Sequence, residues 1–575
     1  MKAFRSCSRN FAPFWRTSSV TATPGGHQPL ILFCPCRGLS ARSPGEALKK
    51  WSYAHGASSV PLVHSTIGEY FAEVTERSPN QEFFVFPKQN VRKTFSQVYQ
   101  DSRKMASGFL ALGLKRGDRV GIWGPNTYEW TVVQYATAMA GLTLVTINPA
   151  YQQHELEYAL EKVGVACLVT LPAFKTQDYY GTIAKICPNM STASSPGPNA
   201  CHSKKLPELK HVVTFGDKEY SGAWRFADVA SGADAKSDQL LEELAAKIQP
   251  DDPVNIQFTS GTTGHPKGAT LSHFNILNNA RFIGIRSGIA ATPNCVIVCP
   301  PPLYHCFGCV GASLCGMVYN TKVVFPTPAF EPLAALEAAD REKGTHLYGT
   351  PTMFIDMLNH PELKSFNFSS VVGGIMAGSS CPKQICLEVI EKLNMKEFII
   401  FYGTTENSPV TFGTRTTDPM EARVGSVGVV MDHAEAKVVD REGKVCAVNV
   451  KDEEKTKEVI GRDRWYKTGD EGIMNEQEIS GDCEQYLYTH PKVEDVQVVG
   501  VPDPRMGEEI CAWIRLKKDQ EATAEELRNF CKGNIAHFKI PKYIMFKQTT
   551  DFPMTATGKV QKFRIREIAV KELGL

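Results

Sequence analysis

The chain has no run of 18 or more uninterrupted apolar residues, the length a membrane-spanning helix needs. Residues 295–318 come nearest, and Pro300, Pro301, Pro302 and His305 interrupt them. It also lacks an excess of either charge. Its 63 lysines and arginines stand against 61 aspartates and glutamates, and a net charge of +2 gives no reason to expect a nucleic acid or a strongly acidic partner. Nor is there a disulfide framework: 17 cysteines, an odd number, lie scattered through apolar stretches and suit a reducing compartment. Cys306-x-x-Cys309, with His305 beside it, has the form of half a zinc site. A structural zinc site wants a second well-spaced pair, so buried small side chains are the simpler reading. No internal repeat is visible.

Acidic residues are missing from the start of the chain. None precedes Glu46, while Lys2, Arg5, Arg9, Arg16, Arg37 and Arg42 are basic and serines and threonines are frequent between them. That is the composition of a mitochondrial transit peptide, with a disordered tail as the alternative, and residues 1–50 are set aside from fold reasoning.

What the chain does have is length. Single hydrophobic cores stop growing near ~250–300 residues, so 575 residues imply two or more domains. Thr94-Phe95-Ser96-Gln97 has the form of a capping box, followed near helical spacing by Val98, Met105, Phe109 and Leu112, with Gly113 as the stop. Residues 119–123 then read as strand, 128–140 as helix, 142–147 as strand, 154–162 as helix and 166–170 as strand; 322–325 and 346–348 read as core strands. Such alternation predicts an α/β fold, a large N-terminal domain of parallel sheets covered by helices. Residues 189–205, rich in Ser, Pro and Asn, predict an exposed loop. Near the end, residues 493–501 make an apolar strand, and Thr523-x-x-Glu526 caps a helix carrying Leu527, Phe530 and Cys531, a smaller α+β unit.

Six stretches carry chemistry. The first is Phe258-Thr259-Ser260-Gly261-Thr262-Thr263-Gly264-His265-Pro266-Lys267-Gly268, between a short apolar run and a helix-compatible segment starting at Ser272. Its glycines allow N–H groups to converge on an anion, its hydroxyls add donors, and Lys267 adds a point charge. It predicts a phosphate-gripping loop; the bland alternative is a polar surface hairpin. It is not a Walker A loop, because Pro266 stands where G-x-x-x-x-G-K-[ST] needs its second glycine. The second is Tyr402-Gly403-Thr404-Thr405-Glu406 after a strand-like run, offering a sharp turn, hydroxyls and one hard oxygen ligand of the kind that magnesium on a triphosphate takes. The third is Trp465-Tyr466-Lys467-Thr468-Gly469-Asp470, the fourth Pro553-Met554-Thr555-Ala556-Thr557-Gly558-Lys559-Val560, which sets one lysine on a glycine-containing turn. Tyr304-His305 and Gly378-Ser379 complete the set. Taken singly, a turn aspartate, a solvated lysine and a core histidine are the ordinary meanings of Asp470, Lys559 and His305.

Together, over roughly residues 65 to 575, these stretches resemble the adenylate-forming superfamily of acyl-CoA synthetases and luciferases, and within it the mitochondrial medium-chain ligases. The resemblance implies ATP, Mg²⁺ and CoA as co-substrates and cofactor, a medium-chain fatty acid as substrate, and a mitochondrial matrix location. It implies that Thr259 to Lys267 bind the β- and γ-phosphates, that Glu406 with Thr259 serves the magnesium, and that Tyr402 to Thr405 help bind the nucleotide. It gives Asp470 the ribose hydroxyls, Gly378 and Ser379 the adenine, His305 the acyl pocket, and Lys559 the bridge between carboxylate and α-phosphate. It implies domains at 51–470 and 471–575, the second a small mobile lid.

The chain also lacks parts of that pattern. Twenty residues separate Asp470 from Pro491, and neither the G-R-x-K-D hinge segment nor the G-G-x-N-I-x-P-x-E stretch that follows it in the family occurs there. Gly461-Arg462-Asp463 lies before Asp470 and does not replace it, and residues 443–451 stand where G-E-L-x-x-R-G is usual. These departures leave open a relative that only adenylates, or that binds nucleotide and acyl chain without turnover.

Overall fold

Hydrophobic side chains along the central strands alternate between two destinations. In Arg119–Trp123, Val120 and Ile122 enter one buried cluster and Trp123 another; in Thr143–Ile147, Leu144 enters the first and Val145 and Ile147 the second. Strands apolar on both faces need helices on both sides. The computed structural model bears this out; it describes residues 51–259, 266–439, 444–445, 473–474, 479–480, 487–503, 507–532, 540–554 and 560–575.

The first sheet has seven strands in the order Trp224–Arg225, His211–Thr214, Val165–Thr170, Arg119–Trp123, Thr143–Ile147, Pro253–Thr259, Lys267–Ser272. All neighbours are parallel except the last pair, which is a hairpin. The second sheet has nine. Its centre runs parallel through Glu397–Gly403, Gly373–Met376, His346–Gly349, Val296–Val298, Lys322–Val324 and Glu82–Phe86, with antiparallel hairpins at both edges.

One buried cluster joins the two sheets. It takes Val120, Ile122 and Leu144 from the first and Ile297, Val323, Tyr348, Ile375 and Ile399 from the second. Between them it gathers Phe71, Phe109, Trp130, Tyr135, Ile276 and Val310 from helices Ile67–Arg77, Phe95–Ala111, Tyr128–Met139, His273–Arg286 and the π-helical segment Phe307–Leu314. The opposite face of the first sheet is covered by helices Gln153–Val163 and Tyr179–Ile186, that of the second by Pro332–Arg341, Pro351–Leu358 and Lys383–Lys392. The capping box at Thr94 forms as its sequence predicts: Gln97 N–H donates to the Thr94 hydroxyl and Thr94 N–H to the Gln97 side chain.

Two expectations need correction. Lys267 and Gly268, read as the end of the phosphate loop, begin a strand that runs to Ser272, with Thr259 paired to Lys267 and Phe258 to Gly268. Residues 189–205 are not simply exposed: Met190, Ala200 and Cys201 are buried against the first sheet's outer cluster, because the apolar residues between the polar ones face inward.

A three-stranded sheet ends the chain, Val493–Asp503 antiparallel to Gly507–Leu516, which is parallel to Tyr543–Phe546. Thr523 caps helix Ala524–Cys531, which buries Leu527 and Cys531, and helix Lys562–Leu573 buries Ile565 and Ala569. The cluster on the outer face of the second sheet continues into this unit through Val496, Ile514 and Leu527. A polar seam accompanies it: Asn359 Nδ2 donates to Glu494 Oε1 at 2.9 Å, and Arg515 pairs with Glu494 at 3.2 Å. Asp356 shares the seam. Burial pushes its carboxyl up to about 6, against the pull of Arg515 and with the push of Glu494 and Asp495.

Candidate active site

In open α/β sheets, ligands bind beyond the carboxyl ends of the strands. Here the carboxyl ends of neighbouring parallel strands lead directly into the singled-out residues. Val296–Val298 is followed by the three prolines and Tyr304-His305, Gly373–Met376 by Gly378-Ser379, and Glu397–Gly403 by Thr404 to Glu406. Gly378 takes φ +94°, a backbone shape glycine allows, and a Cβ there would sit 3.5 Å from the Thr350 methyl.

Pro253–Thr259 of the first sheet brings Thr259 to the same place. Its hydroxyl donates to Glu406 Oε1 at 3.2 Å. The hairpin is tied on its far side, where Tyr158 OH donates to the Pro266 carbonyl at 3.2 Å. Lys267 is exposed. Glu406 sits on the single 3₁₀ turn Thr405–Asn407, closed by Ser408 at φ +79°. Gly403 lets that turn fold back on itself: a Cβ there would lie 1.8 Å from the Pro409 carbonyl oxygen. Beside it the Thr404 hydroxyl is buried with no hydrogen-bond partner among the described residues. A carboxylate, an adjacent hydroxyl and an unsatisfied second hydroxyl form an all-oxygen donor set, which fits magnesium carried on a triphosphate.

His305 is half-buried, and Phe307 N–H donates to its Nδ1 at 3.2 Å. With Nδ1 accepting, the neutral ring carries its proton on Nε2. The helix that follows has the wider i→i+5 hydrogen bonding over Phe307–Leu314. Such turns are rare and collect at functional sites. Polar side chains of its neighbours pin it: Gln134 Nε2 donates to the Cys309 carbonyl at 3.1 Å, Ser313 Oγ to Gln134 Oε1 at 2.8 Å, and Tyr135 meets Ser313 at 3.1 Å.

Cys306 and Cys309 are buried around an amide. Cys306 Sγ donates to Gln257 Oε1 at 3.0 Å, and Gln257 Nε2 donates to Cys309 Sγ at 3.0 Å. Burial raises both thiols, Cys309 to about 12. Both stay S–H and pack as small core side chains.

The structure thus brings Thr259 and Glu406 into contact and sets His305 and Gly378 on the same sheet edge. Ser260 to His265, Asp470 and Lys559 lie outside the described residues. The sequence did not single out Gln257, and it singled out Cys306 only as half of a zinc-like pair. The available signal was a glutamine inside an apolar strand, on the same face as Thr259 two positions on.

The chain matches the AMP-binding enzyme family over residues 71–454 and the AMP-binding enzyme C-terminal domain over 482–559. It belongs to that family, the adenylate-forming superfamily. Among curated proteins it is similar to the medium-chain acyl-CoA ligase ACSF2, mitochondrial, of Danio rerio, 47% identical over 560 residues, 91% of each chain. The Bos taurus protein of the same name is 45% identical over 564 residues, again 91% of each. Among solved structures the anthranilate CoA ligase AuaEII in complex with anthranoyl-AMP superposes with a TM-score of 0.76 at 23% identity, over 90% of this chain and 99% of that one, a likeness of fold.

Proposed function

We infer that the chain is an AMP-forming acyl-CoA synthetase that activates a medium-chain fatty acid with ATP and passes it to CoA. The observation that carries the reading is the 3.2 Å contact of Thr259 with Glu406, which unites the phosphate-loop strand and the carboxylate turn across two sheets. The names of the ACSF2 relatives support the acyl class and a mitochondrial location, and within the mitochondrion we place the chain in the matrix. Residues 1–50 are then a transit peptide, 51–470 the catalytic domain and 471–575 the lid.

A carboxylate is a poor acyl donor because its leaving group is oxide. In the first step a carboxylate oxygen attacks the α-phosphorus, the bond to the β-phosphate oxygen breaks, and pyrophosphate leaves with its electron pair. One hard step becomes two easier ones. Negative charge crowds this transition state, so positioned donors and cations lower the barrier. The hydroxyls and N–H groups of Thr259 to His265, with Pro266 shaping the turn and Lys267 adding its charge, hold the β- and γ-phosphates. Gly378 and Ser379 face adenine, Tyr402 to Thr405 the rest of the nucleotide, and Asp470 the ribose. Lys559 bridges carboxylate and α-phosphate, and His305 borders the acyl chain. Glu406 with Thr259 would hold magnesium, which would neutralise charge on the triphosphate. In the second step the CoA sulfur attacks the acyl carbon and AMP leaves.

The test incubates the whole chain with ATP, magnesium, decanoate and CoA and quantifies decanoyl-CoA and AMP. Equal amounts of both are expected. Pyrophosphate release without thioester would favour an adenylation-only enzyme, the reading suggested by the segments missing after Asp470. Neither product from a folded chain would overturn the proposal.

A further inference from the structure

We propose that Cys306 is a positioning residue for the adenylation centre, acting through a buried clasp with Gln257 and Thr405. The inference rests on the synthetase reading and adds to it a part that the motifs do not include. Each of the three side chains is next to a site residue. Gln257 stands two positions before Thr259 on one face of the same strand, Cys306 follows His305, and Thr405 precedes Glu406. The Cys306 thiol donates to Gln257 Oε1 at 3.0 Å, and the Thr405 hydroxyl stands beside the same sulfur. The Gln257 amide is completed by its bond to Cys309.

Gln257 is only 2% exposed, and Cys306 and Cys309 are fully buried. An amide in that setting costs stability unless both its ends are bonded. The two sulfurs satisfy it, so the amide has one orientation. Burial above all, with the Glu406 carboxylate nearby, keeps the Cys306 thiol protonated, so its S–H donates to Gln257 while the Thr405 hydroxyl stands beside the sulfur. One atom therefore links the first sheet, the acyl-pocket helix and the turn bearing Glu406. Its loss leaves, among the described residues, Thr259–Glu406, a single bond between half-buried groups, to fix the carboxylate. Because the Cys306 backbone opens the π-helical segment, the same atom connects the acyl side of the site to the phosphate side.

The experiment measures, for the full chain and for Cys306→Ala and Cys306→Ser, the magnesium concentration that half-saturates ATP binding, beside the melting temperature and decanoate-dependent pyrophosphate exchange. Cys306→Ala is expected to raise the magnesium requirement about tenfold and to lower exchange by a similar factor, with the KM for decanoate within about twofold. Cys306→Ser, which still donates and accepts, is expected to stay within about threefold of the parent. If Cys306→Ala does not fold, Gln257→Met, similar in shape and without the amide, takes its place with the same expectation. An unchanged magnesium requirement in the Ala or Met variant overturns the proposal, as does a Ser variant no better than Ala. A parent chain that binds ATP with magnesium but performs no exchange overturns the synthetase reading, while the binding comparison still decides the role of Cys306. A folded parent that does not bind ATP overturns both.

Discussion

The hydroxyl of Thr259 donates to the carboxylate of Glu406 across 3.2 Å, although 147 positions separate them in sequence. Thr259 ends a strand of the first sheet and Glu406 follows a strand of the second, so the contact exists only because the two sheets share one buried cluster. An oxygen pair assembled in this way has little freedom to relax, and replacing its charged member tests what the pair is for.

Glu406→Gln keeps an acceptor for Thr259 and removes the charge. Pyrophosphate exchange is expected to fall roughly a hundredfold, with a higher magnesium requirement and little change in melting temperature. Exchange near the parent level at ordinary magnesium would show that this carboxylate does not serve the metal.

Gly403→Ala tests the turn that carries Glu406. A Cβ would lie 1.8 Å from the Pro409 carbonyl oxygen, so the turn must shift. A displacement near an ångström costs about a hundredfold in rate, and overpacking costs about 1–3 kcal/mol of stability. Exchange assays and urea unfolding of the variant check both; parent values in both would mean the turn accommodates a side chain.

How much of this was legible in the sequence depends on range. Arg119–Trp123 could be read directly, because a strand buried on both faces needs an unbroken apolar pattern. Lys267–Ser272 could not: only Leu271 is buried, and the strand is held by backbone pairing to Pro253–Thr259. The phosphate loop, Glu406 and His305 stood out as local residue patterns. Thr405 stood out with Glu406 and Cys306 as half of a zinc-like pair, but Gln257 did not, and the meeting of the three is set by tertiary packing; the widened helix Phe307–Leu314 departs from the period by which helices are recognised.

Acid should weaken the fold through two buried histidines. Burial pushes His273 and His346 down to about 4, against an ordinary value of 6.5. The unfolded chain therefore takes up these protons first as pH falls. Stability is complete above about pH 6.5 and is lost toward about pH 4, by up to about 3 kcal/mol per histidine. Urea midpoints should drop between about pH 7.5 and pH 5, and replacing both residues with glutamine should flatten the slope. An unaltered slope in the double variant would contradict this.

Arg515→Ala tests how the small terminal sheet is held. It removes the cation facing Glu494, Asp495 and Asp356. Breaking a buried pair is costly, but Glu494 keeps a solvent-facing edge, so a loss of roughly 2–3 kcal/mol is expected in urea unfolding. A parent-like midpoint would mean the apolar contacts through Val496, Ile514 and Leu527 suffice.

Carboxylate adenylation is the central step, and decanoate-dependent exchange of radiolabelled pyrophosphate into ATP reads it without CoA. The expected result is exchange by the whole chain, abolished in Lys559→Ala while ATP binding persists. A folded parent chain that shows no exchange at saturating ATP, magnesium and decanoate would contradict it.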